Sequence, residues 1–175
     1  AGSIGTNAVP VGVNTGTAPT SGRVNASSAG DIYLNTSAGA VIGSLAGGPG
    51  QNTVDIGASG TANLTFAASN FLDDSFFGHV ERGTLTFSAD LTTTYIELFS
   101  AATTLDEGDI VINGLVGTSD RVNANNCGAN CTLSESLNVY STTGLGGSLT
   151  GTGLLFSGNA IQFGTLGFDI AIAGA

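Results

Sequence analysis

The dominant period of apolar and polar positions along this chain is two. Residues 84–88 (Thr-Leu-Thr-Phe-Ser) alternate cleanly, and residues 95–99 do so more loosely. Residues 109–113 form a short apolar run flanked by an acid and an asparagine. Leu133, Leu137 and Val139 share one face of 132–140, and the stretch from Phe168 to Ile172 alternates again. Such segments are half-buried strands. Further strand candidates are 31–35, 39–45, 52–57, 61–67, 121–125, 149–156 and 160–166. Turn-forming clusters separate them, among them Gly47-Gly48-Pro49-Gly50, Ala58-Ser59-Gly60 and Ser157-Gly158-Asn159. The single helix expected is a turn or two within 68–77, where Ser69 or Asn70 offers an N-cap.

About ten to twelve short strands predict an all-β protein, a β-sandwich or jelly-roll-like domain. The alternative is a β-solenoid. Only one internal echo favours it, Gly22-Arg-Val-Asn-Ala26 against Asp120-Arg-Val-Asn-Ala124, and no fixed repeat period is visible. The expected organisation is an N-terminal strand and flexible tether over 1–22, followed by one sandwich domain over 23–175. Val9, Val11 and Val13 alternate within the first part, and 14–22 reads as the tether. Pro10 removes one ladder donor and so favours an edge position.

Composition sharpens this picture by exclusion. With 13 acids, three arginines and no lysine, the net charge is −10. Phosphate neutralisation needs lysine or arginine, so nucleic acid is not expected as a partner. No apolar run approaches the length of a membrane span, so membrane insertion is not expected either. Leu, Val, Ile and Phe together exceed the level below which chains fail to bury a core, so the chain folds. The chain starts Ala-Gly-Ser, which reads as a mature form after cleavage of a targeting segment. Cys127 and Cys131 are close enough in sequence for a small loop disulfide, which implies an oxidising, extracellular location. Asn25, Asn35, Asn63 and Asn130 stand in Asn-x-Ser/Thr sequons and are candidates for covalent glycans.

Catalytic equipment is sparse. His79 is the only histidine, and it sits among apolar residues where a structural role is expected. The Gly-x-Ser-x-Gly elbow is absent, so a Ser-His-Asp arrangement has no local support. Paired acids recur at Asp73-Asp74 and at Asp106, Glu107 and Asp109. Glycoside hydrolysis would use such pairs, but its clefts usually carry aromatic platforms, and the chain has no tryptophan. The Asp106–Asp109 group is instead a weak calcium candidate, without the EF-hand pattern, and otherwise no cofactor is expected. Thr84-x-Thr86, Thr92-x-Thr94 and Thr150-x-Thr152 raise ice binding, which needs such pairs in register on successive strands. The chain is not expected to be an enzyme.

In length, scarcity of charge, absence of Trp and Met, two cysteines and an alternating N-terminal segment on a tether, the chain resembles pilin-like subunits. These are subunits of extracellular fibres assembled by β-strand donation. It departs from them in its closely spaced cysteines and in lacking a penultimate tyrosine, so no specific family is assigned. The resemblance implies a structural subunit that self-assembles head to tail into a homopolymer, with Val9, Val11 and Val13 as the inserted side chains. The alternative expectation is a secreted carbohydrate- or surface-binding module of the adhesin type. There Tyr33, Tyr95, Tyr140 and some of the phenylalanines are the candidate sugar platforms, and a cluster of exposed tyrosines would favour it.

Overall fold

The structure, a computed structural model, describes residues 2–16, 22–48, 52–103, 107–118, 136–143, 147–157, 160–164 and 169–172. The described residues are all-β, with no helix. The strands are β1 (Val11–Gly12), β2 (Val24–Ser27), β3 (Ile32–Thr36), β4 (Ala40–Ala46), β5 (Thr53–Ala58) and β6 (Leu64–Phe66). There follow β7 (Asn70–Phe71), β8 (Ser75–Val80), β9 (Thr84–Phe87), β10 (Leu91–Thr93), β11 (Tyr95–Ser100) and β12 (Asp109–Ile112). The last are β13 (Leu115–Thr118), β14 (Ser136–Ser141), β15 (Ser148–Gly151), β16 (Leu154–Phe156), β17 (Ala160–Gly164) and β18 (Asp169–Ile172).

These strands form three sheets. Sheet 1 has the order β1-β3-β5-β8-β11-β14-β17, and sheet 2 the order β2-β4-β6-β9-β12-β15-β18. Sheet 3 is β16-β13-β10-β7. Every pairing between these strands is parallel. A strand therefore pairs with the strand one coil later and never with its neighbour in sequence. Each full coil lays one strand on each sheet, as β8, β9 and β10 do. This is a β-solenoid, the alternative architecture, and it replaces the expected β-sandwich. The local pattern is the same for both, because each strand buries one face and exposes the other. What excludes the sandwich is the absence of antiparallel hairpins between these strands, which its Greek-key connections require.

The core is a set of columns, one residue per coil. In sheet 1, Ile32, Val54, Phe76, Ile96 and Leu137 stack in register, and all are fully buried. A second column runs Val11, Leu34, Ile56, Gly78, Leu98, Val139 and Phe163. Sheet 2 supplies Ala40, Leu64, Leu85, Ile110 and Leu149. Phe66 stacks on Phe87 at a centroid distance of 4.8 Å, and Phe76 meets Phe66 edge-on at 5.4 Å across the coil. The first column advances by 22, 22 and 20 residues and then by 41. Its members share apolar character and not a repeated motif, so this spacing does not stand out in the sequence.

The corners between sheets explain much of the composition. Side-chain oxygens of Asx residues accept backbone N–H groups from a neighbouring coil: Asp31 from Thr53, Asn63 from Thr84, Asp90 from Leu115 and Asp109 from Ser148. A corner donor would otherwise be orphaned where the ladder stops. Glycine is required where a corner lies against backbone of another coil. A Cβ at Gly83 would collide with the carbonyl of Ala62, and Gly151, at φ +135°, would meet the carbonyl of Ile112.

The helix expected within 68–77 is not formed. Those residues carry β7, a corner and the start of β8. Asn70 does not cap a helix. Its buried amide accepts from Leu45 N and donates to the carbonyls of Gly43 and Ala68, tying β7 to β4. Phe71 points out and Phe76 in, so the aromatic spacing is that of strands.

Asp74 lies in the following corner, buried, with Oδ1 accepting from Asn52 N and Oδ2 without a hydrogen-bond partner. Burial raises its pKa above the ordinary 3.8, and Asp73 and Asp31 add to the rise. A carboxyl with a raised folded pKa holds its proton more tightly when folded. Its contribution is therefore greatest below 3.8 and is lost as pH rises through the folded value.

Two outcomes follow from the core and this corner. Phe87→Ala should cost about 3–5 kcal/mol in denaturant unfolding, because it empties the centre of the aromatic cluster. Asp74→Asn should raise the melting temperature near neutral pH, keeping the acceptor for Asn52. The gain should vanish at acid pH, where the native carboxyl is protonated.

Candidate functional site

The outer face of sheet 1 gathers the chemistry that the sequence scatters. Side chains at alternate positions of its strands point away from the core. One outer column reads Tyr33, Asp55, Phe77, Glu97 and Asn138. The next reads Asn35, Gly57, His79, Phe99 and Tyr140. Tyr95 lies at the edge of the same face, in register with Ser75. All three tyrosines of the chain are thus on one face, with Phe77, Phe99 and the only histidine. Each of these is half-buried.

His79 stacks on Phe99 at 4.9 Å with planes 6° apart, and Phe99 on Tyr140 at 5.4 Å and 16°. The imidazole leans over Gly57, where a Cβ would overlap the ring. The glycine therefore sets the start of the stack. Phe77 and Tyr95 meet at 5.8 Å but tilted by 50°, so neither ring covers the other's face.

Polar contacts link the two columns. Asp55 Oδ1 lies 3.2 Å from His79 Nε2, without hydrogen-bond geometry. Tyr140 donates its hydroxyl proton to Glu97 Oε1 at 2.8 Å. Asn138 Nδ2 donates to Tyr95 Oη at 3.0 Å. Burial raises the pKa of both Tyr95 and Tyr140 above the ordinary 10.0, and the Glu97 carboxylate raises both further. In Tyr140 the hydrogen bond to Glu97 is the larger of the two Glu97 effects.

The remaining candidates are dispersed. Val9 is exposed, held in a turn by mutual backbone bonds with Thr6. Val11 pairs with Leu34 of its own chain, and Val13 packs partly against the core. In the segment read as a tether, Asn14 Oδ1 accepts from Thr36 Oγ1, and Thr15 and Gly16 N–H groups bond to Gly39 O. Cys127, Cys131 and Asn130 lie outside the described residues. Asn25 and Asn63 are exposed and Asn35 is half-buried. Asn25 Oδ1 accepts from Ser44 and Asn63 Oδ1 from Thr84 N.

Of the calcium candidates, Asp106 lies outside the described residues. Glu107 lies 4.0 Å from Arg82 Nε, and Asp109 Oδ1 accepts from Ser148 N and Oγ. Among the described residues no group of three or more His, Cys, Asp or Glu is placed to hold a metal. Among the described residues the threonines do not form an ice-type array. Thr84 and Thr86 are followed in register by Asp109 and Val111, which interrupt the pairs.

The sequence points to the three tyrosines and to some of the phenylalanines, but not to Asp55, nor to Phe77 and Phe99 as the phenylalanines beside them. Their alternation put them on an outer face, but only the pairing register puts those faces side by side.

No family model, no curated protein and no solved structure matches this chain.

In a spectrophotometric alkaline titration of the folded protein, Tyr95 and Tyr140 should ionise above the ordinary tyrosine value. Glu97→Gln should shift part of that absorbance change to lower pH, leaving the part due to burial.

Proposed function

We propose that the chain is a structural, non-catalytic subunit of an extracellular filament or surface fibre, assembling head to tail through its N-terminal strand. The observation that carries this reading is one core column. It starts at Val11 and ends at Phe163, its interior members are packed in the core, and its two ends are 43% and 49% exposed. Ile161, in register with the buried Leu137, is also exposed. β1 is one edge of sheet 1 and β17 the other. A second copy placed end-on would set its β1 against β17, continue the parallel ladder, and bring its Val11 over Phe163. This is strand addition at an open edge rather than insertion into a groove. The contact is heterologous, so it propagates into a filament. Val9 and Val13 flank the contact. The sequons, and two cysteines spaced for a small loop disulfide, support an extracellular setting.

Negative-stain electron microscopy and sedimentation of the purified chain test this. Filaments, or concentration-dependent oligomers, are expected, and both Val11→Asp and Phe163→Asp should abolish them while leaving the far-ultraviolet circular dichroism intact. A wild-type chain that stays monomeric at high concentration overturns the proposal.

A further inference from the structure

We propose that the outer face of sheet 1 binds an uncharged polysaccharide, its chain running along the solenoid axis across β5, β8, β11 and β14. The proposal does not rest on end-to-end assembly, since this face lies along the sheet and not at its edges.

Three observations select the occupant. The first is the kind of surface. Sugar rings pack their C–H faces on aromatic rings, and Phe77 and Tyr95 are tilted so that neither covers the other. In the stack of His79, Phe99 and Tyr140 the rings cover one another, so it forms a wall beside that platform. The corresponding outer column of sheet 2 reads Val41, Thr65, Thr86, Val111 and Thr150 and has no aromatic residue.

The second is charge. Asp55 and Glu97 stand on this face, and among the described residues no arginine does: Arg23 precedes β2 and Arg82 lies in the corner beside Glu107. In a chain of net charge −10, that field disfavours uronates, sulfated glycans and nucleic acids. The third is hydrogen-bonding polarity. The polar groups in the outer column are chiefly acceptors. Asp55 and Glu97, both half-buried, bring only carboxylate acceptors to it. A ligand rich in hydroxyl donors suits such a row. Strands about 4.8 Å apart repeat these groups at close to the length of one sugar unit in an extended glycan.

Affinity electrophoresis and pull-down tests this, with β-glucan, xylan, mannan and cellulose as uncharged probes and polygalacturonate, alginate and heparin as anionic ones. At least one uncharged polysaccharide should retain the wild-type chain, and no anionic one should. Tyr95→Ala and the near-isosteric Glu97→Gln should each weaken that binding about tenfold or more. Thr86→Ala, on sheet 2, should leave it unchanged. Melting temperatures of all variants separate lost binding from lost folding. Failure of every uncharged probe, preference for an anionic one, or equal retention of all variants each overturns the proposal.

Discussion

Everything in this fold depends on a parallel hydrogen-bonded ladder in which a residue's partner lies one coil away. Because the pairing is parallel and in register, like positions repeat down the molecule. An inward position becomes a core column and an outward position becomes a surface column. The core is then a stack of short rows, each completed by the rows on either side. The column from Val11 to Phe163 shows the consequence. Its middle members are sealed by their neighbours, while its ends have a neighbour on one side only. Exposure at the ends is thus a property of the architecture.

The same register builds the aromatic and acidic face of sheet 1. No two of Asp55, Phe77 and Glu97 are close in sequence, yet they occupy successive steps of one column. Gly57 gives the His79 ring its place, and the ring then supports Phe99 and Tyr140. Coupling of this kind means that substitutions there act along the axis more than along the chain.

The corners of this fold favour small residues and Asx residues for two separate reasons. Corners must turn tightly against the backbone of another coil, which favours glycine, as at Gly83. They must also satisfy backbone donors where a ladder ends, which favours Asp and Asn.

The sequence by itself determined the secondary structure type and much of the strand placement. The alternation over 84–88, 95–99 and 109–113 marks β9, β11 and β12 because burial of one face writes period two into any strand. It also named Val11 and the three tyrosines. It did not determine the partner of any strand, since period two is the same whether the next strand pairs antiparallel or lies one coil away. The coil repeat was hidden because successive coils share a pattern of apolar positions and not residue identities, as Ile32, Val54, Phe76 and Ile96 show. The segment 68–77 read as a helix from its cap and acids, but ladder pairing and the buried Asn70 amide outweigh that weak local preference. Only the tertiary register decided that Tyr33, Tyr95 and Tyr140 share a face with Asp55, His79 and Glu97. Proximity across coils is set by pairing, and pairing is set by which core residues fill one column together.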